Sequence, residues 1–339
     1  MNVRLNVPLK EMTTLRVGGP AKRVFFVSTP EEVREAVHTC FAEKEPYAVL
    51  GGGSNTLVPD DGFDGTVIHI GIAGMSHTRK SDGTIILFVG AGVAWDSVVS
   101  YAVENGWWGI ENLSGIPGTI GGSPIQNIGA YGVEVASCIQ SVSVYDPDTD
   151  FFLTHEHRAC DFRYRQSAFK SGRFKSHIIT GVTFTLSETP RPILSYKDVY
   201  ERIDEASPSL SHVRNTILNI RALKFPKIEE GTAGSFFANP IISEEEAHAL
   251  SVRFPHLPMF PEERGVKISL AWILDHVLSM KGHRVGSARL YEKQPLVVVT
   301  SAEGNAKDVD TLAEEVTTRV YDATGVAIVR EVQYIHART

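Results

Sequence analysis

Five stretches of the chain carry residue types and spacings suited to chemistry. The first is Gly51-Gly52-Gly53-Ser54-Asn55, directly after the apolar run YAVL at 47–50. Successive glycines let the backbone turn its N–H groups inward as an anion-binding nest, and Ser54 and Asn55 add side-chain bonds. A pyrophosphate suits such a loop, although a tight turn is the plainer reading of any single glycine cluster. The pattern lacks the third glycine of a dinucleotide fingerprint and the Gly-Lys-Ser/Thr of a P-loop. The second stretch, Gly115-Ile116-Pro117-Gly118-Thr119-Ile120-Gly121-Gly122-Ser123, is equally weak alone. Two such loops separated by strands favour one extended, phosphate-bearing cofactor.

Three further stretches carry reactive side chains. Arg163-Tyr164-Arg165 suits phosphate or carboxylate, but on its own it reads as a solvated strand. Gly234-Ser235-Phe236-Phe237-Ala238-Asn239-Pro240 places a serine beside two aromatics, either as a proton donor in a partly dry pocket or as a turn. It is not GxSxG, so a hydrolase elbow is unsupported. Glu331 lies in VAIVREVQY, where strand alternation puts it on the face of Val329. A buried acid there would have a raised pKa and a function; an edge-strand glutamate is the plainer account.

Composition narrows the setting. With 339 residues, two or three domains are expected. Apolar residues are 42% and charged residues 22%, which supports folded cores and argues against long disorder. The net charge of −7 argues against condensation on nucleic acid or an anionic membrane. Cys40, Cys138 and Cys160 form no CxxC, so neither a disulfide framework nor a metal site is expected, and a reducing cytoplasm fits. No signal peptide is read in MNVRLNVPLKEMTT, and no apolar run is long enough to span a bilayer.

The elements that position these residues follow from periodicity. VFFV (24–27) reads as a strand. Thr29, Pro30 and Glu32 then read as a capping box opening a helix with Val33, Ala36, Val37, Cys40 and Phe41 at helical spacing. Strands are expected at 47–50, 66–70 and 84–90, a helix near 95–105, and strands again across 139–187. Residues 107–135 show neither period, and a bound ligand is one thing that orders so glycine-rich a stretch. Ser243 and Glu246 form a second capping box. Strand 296–300, a helix through Val309, Leu312, Ala313, Val316 and Val320, and a closing strand at 326–334 read as a βαβ-like unit of a separate domain. These readings stop at a multidomain protein holding a phosphorylated cofactor, without identifying the reaction.

The same stretches, in this order, resemble the UDP-N-acetylenolpyruvoylglucosamine reductase family. The resemblance rests on TTLRVGGPA (13–21), LGGGSNTLV (50–58), NLSGIPGTIGGSPIQNIGAYGVE (112–134), FRYRQSAFK (162–170), RALKFPK (221–227), AGSFFANP (233–240) and REVQYI (330–335). It implies an α+β fold: a two-lobed FAD-binding module of the vanillyl-alcohol-oxidase type, followed by a C-terminal α/β substrate domain. The lobes would span 1–75, joined by about 325–339, and 76–223, with the substrate domain at 224–324. FAD, noncovalently held, would lie between the lobes. Gly51, Gly52, Gly53, Ser54, Asn55, Thr56, Ile116, Pro117, Gly118, Gly122, Ser123, Ile125, Gly129 and Arg221 would line its site. NADPH would be the hydride donor and the enolpyruvyl ether of UDP-N-acetylglucosamine the substrate, in peptidoglycan precursor synthesis.

The resemblance also implies roles. Ser235 would donate a proton to carbon, while Arg165 and a protonated Glu331 would polarise the substrate carboxylate. Tyr131, Tyr196, Lys224, Asn239 and Gln294 would hold the UDP-sugar or the nicotinamide cofactor. Two positions depart from the family: Ala238 replaces a common lysine, and Phe260 replaces a tyrosine on a mobile loop over the nucleotide in one subgroup. The segment 255–264 still resembles that loop-bearing subgroup. The competing readings are a flavin-dependent alcohol or sugar oxidase of the same superfold, and a non-catalytic UDP-sugar-binding regulator; the latter needs Ser235 or Glu331 lost, and both are present.

Overall fold

The computed structural model describes residues 1–204, 207–226 and 230–338. Lys227, which ends one of the resembling motifs, lies outside them. The N-terminal sheet has the order Asn2–Pro8, Pro20–Val27, Phe63–Ile70, Tyr47–Leu50. Its inner strands pair in parallel, and the helix Pro30–Glu43 makes the crossover before Tyr47–Leu50. Thr29 caps that helix at the Glu32 amide. The capping box is only half formed. The Glu32 carboxylate accepts from the Ser28 amide and hydroxyl and pairs with the Met1 amino group, so that ion pair replaces the reciprocal bond.

A five-stranded antiparallel sheet follows, ordered Phe151–Glu156, Ile139–Asp146, Ile178–Ser187, Thr84–Gly90, Met75–Arg79. The helix Trp95–Glu104 packs on it, burying Trp95 against Phe184. One apolar core joins Val33 and Val37 of the first helix to Tyr145 and Phe184 of this sheet, crossing the expected boundary at 75. Between the helix and the strand Ile139–Asp146, residues 105–138 make short 3-10 turns and one small hairpin, Gly129–Ala130 against Val133–Glu134, with no long element, as the absence of periodicity predicts.

The third layer is a sheet ordered Gly231–Ser235, Val297–Thr300, Ala288–Leu290, Arg284–Val285, covered by the helix Ala306–Thr324. All its pairings are antiparallel, so the βαβ-like unit expected here does not form. Nor is 326–334 one strand. Arg330 bridges to Phe237, and only Gln333–Tyr334 forms a strand, parallel to Thr56–Leu57 of the N-terminal layer. The reason is long-range pairing: this segment serves two layers and leaves the sheet to do so. The third core also takes in Leu15, Val17 and Leu57. No helix among the described residues is long and apolar enough to cross a membrane.

Candidate active site

A cavity of about 1270 Å³ opens where the layers meet. Single-ligand pockets usually reach about 1,000 Å³ at most, so this volume suits a large cofactor with a second ligand beside it. Every site residue expected from the sequence lines it except Phe260.

One wall is backbone. The strand Tyr47–Leu50 delivers Gly51-Gly52-Gly53 against Gly118 and Thr119. A methyl on Gly52 would stand 2.9 Å from the Gly118 Cα, and one on Gly51 2.6 Å from Thr119 Oγ1. Gly53 sits at φ +59 with the Met12 carbonyl where a Cβ would go. Only glycine meets these requirements. Ser54 Oγ donates to the Pro117 carbonyl at 3.2 Å, locking the two loops together. Among the described residues the amides of Gly52, Gly53 and Ser54 donate to no other group, and buried Thr119 Oγ1 has no partner. Unmatched donors around a glycine cradle fit a pyrophosphate, so the residues present suit the dinucleotide flavin that the resemblance implies. Thr56, Ile116, Gly122, Ser123, Ile125 and Gly129 continue this wall. Gly115 is held from behind: Asp96 accepts from its amide at 2.6 Å and from Arg214 at 2.7 and 2.8 Å. Arg214 shares the helix Leu210–Lys224 with Arg221, whose Cδ would lie 3.1 Å from a Cβ at Gly115.

The other wall is side chains. Ser235 ends the strand Gly231–Ser235 after a register shift, where Gly234 at φ +74 turns the chain. No protein group among the described residues bonds its hydroxyl. Glu331 is placed by its amide, which donates to the Phe236 carbonyl at 2.8 Å, and by its carbonyl, which accepts from Asn55 Nδ2 at 3.1 Å. It is 8% exposed whereas Val329 is 65% exposed, so the shared-face argument was mistaken although burial of the acid holds. Arg165 Nε lies 3.0 Å from Glu331 Oε1 without pointing its N–H at it, and Arg165 Nη2 donates to the Gly129 carbonyl at 2.9 Å. Burial pushes the Glu331 carboxyl above the usual carboxylate range; the Arg165 and Lys170 charges oppose this without cancelling it.

Arg163-Tyr164-Arg165 is a turn and not a solvated strand, and its two arginines part company. Arg163 pairs with Asp161 in solvent, while Arg165 adopts φ +53 and faces the cavity. A non-glycine residue in that region carries strain of about 1–3 kcal/mol. Lys170 Nζ donates to the Arg165 carbonyl at 3.0 Å, and Ser167 Oγ to the Ile125 carbonyl at 2.6 Å, which hold the turn.

Toward the mouth, Tyr131 packs edge-on against Tyr196, ring centroids 5.4 Å apart. Burial pushes the Tyr131 phenol up to about 12, so it stays a neutral donor. Lys224 pairs with Asp198 and lies 5.9 Å from the Tyr196 ring centre. Asn239 Oδ1 accepts from the Leu270 amide at 3.0 Å, and Gln294 closes a turn to Val297 at 2.9 Å. The segment 255–264 contains one arm of a hairpin, Met259–Glu262 against Gly265–Ile268. Phe260 there is 51% exposed and directly opposite Lys267. Lys267 lines the cavity and sits 4.7 Å from the centre of the Tyr164 ring.

The sequence reading missed Lys170, Tyr164, Lys267 and Gln126. Lys170 and Tyr164 stood inside a quoted motif, so the signal was available. Gln126, which accepts from Asn55 Nδ2 at 2.7 Å, stood in one too, whereas Lys267 stood in none.

Two family models match the chain: an FAD binding domain over residues 21–152, and the C-terminal domain of UDP-N-acetylenolpyruvoylglucosamine reductase over 226–335. Proteins named UDP-N-acetylenolpyruvoylglucosamine reductase are similar along nearly the whole length. That of Cutibacterium acnes is 38% identical over 344 residues, covering 97% of this chain and 89% of its own. That of Porphyromonas gingivalis is 34% identical, covering 99% and 100%. The crystal structure of the Thermus caldophilus enzyme of that name is similar with a TM-score of 0.67 at 28% identity, over 99% of this chain and 98% of its own.

Proposed function

Because the chain belongs to the UDP-N-acetylenolpyruvoylglucosamine reductase family, we propose that its cavity reduces the enolpyruvyl ether of UDP-N-acetylglucosamine to the lactyl ether, yielding UDP-N-acetylmuramate for peptidoglycan. The carrying observation is the meeting of an unbonded Ser235 hydroxyl, a buried Glu331 and Arg165 at one cavity, opposite a glycine cradle. The 51–56 and 115–123 loops and Arg221 would hold noncovalent FAD, which when bound would pass hydride from NADPH to the vinyl carbon.

The chain's own groups handle charge and proton. Arg165 holds the substrate carboxylate, and its guanidinium fork is pinned by Gly129 and steered by the strained turn. Glu331, whose carboxyl burial pushes toward the protonated form, donates from that form a hydrogen bond to the carboxylate oxygen on which negative charge grows. Ser235 delivers its hydroxyl proton to the adjacent carbon; so weak an acid donates only to a strong base such as that enolate. Tyr131, Tyr196, Lys224, Asn239 and Gln294 orient the UDP-sugar and, in turn, the nicotinamide donor. Phe260 covers the nucleotide from its hairpin. Residues 1–75 with the terminal segment, and 76–223, form the two cofactor lobes, 224–324 carry the substrate, and the enzyme works in the cytoplasm.

The test is spectroscopic. Purified yellow protein bleached by NADPH without air should recover its colour on addition of the enolpyruvyl UDP-sugar. Recovery with oxygen alone, and none with the sugar, would favour an oxidase and sink the proposal.

A further inference from the structure

The cavity runs well past the glycine loops, away from Ser235, to an end lined by Tyr47, Ile178, Ile179 and Arg338. Arg338 is fixed there through its backbone: it exchanges hydrogen bonds with Tyr47, N–H to carbonyl, at 3.0 and 2.6 Å. Its Nη1 donates to the Ser176 carbonyl at 2.8 Å. No carboxylate among the described residues pairs with it; nearby Asp148 takes the Ser176 hydroxyl at 2.7 Å and Asp146 faces His177 at 3.6 Å. Burial pulls the Arg338 pKa below its ordinary value, opposed only by Tyr47. The half-buried guanidinium faces the cavity with only neutral partners, the Ser176 carbonyl and the Tyr47 side chain, and no counter-charge among the described residues, so it keeps donor and cationic capacity for a ligand.

The ligand this end suits follows from its chemistry. Tyr47, Ile178 and Ile179, almost wholly buried, give this end an apolar lining, and the guanidinium offers planar donors and a cation for a π face. A flat, nitrogen-rich heteroaromatic ring satisfies both, whereas a phosphate would leave the apolar walls unused. Distance agrees. Tyr47 lies four residues before Gly51 on an extended strand, roughly 13 Å away, a span fit for a sugar and base attached to a phosphate in the cradle. The proposal rests on the flavin reading above, which puts the reacting ring at the Ser235 end and so sends the other half this way.

We propose that Arg338 is a cofactor-selecting residue that takes the adenine of FAD at the far end of the cavity. It lies on the same segment as Glu331, so one stretch of chain contributes to both ends of the site. The experiment uses the whole apoprotein, titrated with FAD, with ADP as competitor, for the parent, Arg338→Met and Arg338→Lys. Expected is a rise of about tenfold or more in the FAD dissociation constant for Arg338→Met, a smaller rise for Arg338→Lys, loss of ADP competition, and a loss of apoprotein stability smaller than the loss of FAD affinity. Unchanged FAD affinity would overturn the proposal. So would weakened affinity accompanied by an equally weakened apoprotein, since that marks a merely structural arginine. A parent protein that binds no FAD would instead sink the flavin reading itself.

Discussion

Gly51, Gly52, Gly53 and Gly118 form one wall of the cavity from main chain alone, packed so closely that side chains are excluded. Arg165, Ser235 and Glu331 form the other from side chains that arrive on a turn, the end of a strand and the terminal segment. The first wall is specified by what is missing, a Cβ, and the sequence displays that directly as glycine, even though the neighbours that exclude it are distant. The second is specified by partners far away in sequence, such as Asn55 for Glu331, 276 positions apart. Damage to the two walls should therefore look different: the first should fail by losing cofactor, the second by losing chemistry with cofactor in place.

The largest expected effect breaks that comparison most directly. Ser235→Ala should retain FAD and be reduced by NADPH at a near-normal rate, yet slow the second half-reaction by about 10²–10⁴-fold. Stopped-flow traces of both half-reactions decide it, and equal slowing of the two would remove Ser235 as the proton donor. On the other wall, Gly53→Ala puts a methyl into the Met12 carbonyl at a positive φ. Strain there is about 1–3 kcal/mol, so FAD affinity should fall by about tenfold or more, which equilibrium dialysis measures. Full flavin content after purification would show the cradle tolerates what its geometry forbids.

Smaller effects sharpen the side-chain wall. A neutral Glu331 predicts that the second half-reaction is fast below its raised pKa and declines as pH rises through it, since deprotonation removes the donor. Glu331→Gln should flatten that limb and outperform Glu331→Ala. Lys170→Met removes a cation that stabilises ionised Glu331, so the limb should move to higher pH. It also frees the Arg165 turn, and misplacement of a catalytic group by an ångström costs up to about 10²-fold. A limb that stays put would deny Lys170 that influence. The least effect is expected at Phe260, half in solvent. Phe260→Ala should raise the Michaelis constant for the UDP-sugar with little change in flavin reduction, and Phe260→Tyr should be tolerated, a hydrogen bond being worth about 0.5–1.5 kcal/mol. If Phe260→Ala binds the sugar as the parent does, the hairpin is no lid.

The two walls also differ in how far they were legible. The glycine loops, the helix after Thr29 and the strands at 47–50 and 84–90 follow from residue type and period, which the sequence displays directly. The last stretch was misread as a strand because Val and Ile dominate it, while its course is decided by Phe237 and Thr56. For the same reason Glu331 was rightly suspected on a wrong premise. Lys170 stood in the quoted motif FRYRQSAFK, but its role, a bond to the Arg165 carbonyl, is set by the fold and not by residue type. Gln126, Lys267 and Arg338 gain meaning only through neighbours the fold supplies.

The segment 326–338 touches Phe237, then Asn55, then Tyr47, stitching the third layer to the first. A ribosome makes those residues after more than three hundred others, so the pocket stays open until they are made. Contacts between such distant positions form late and slowly. We expect flavin uptake to wait for this segment: stalled nascent chains lacking 326–338 should not quench FAD fluorescence, whereas released chains that contain it should. Quenching by the stalled chains would show that the closing stitch is dispensable for loading.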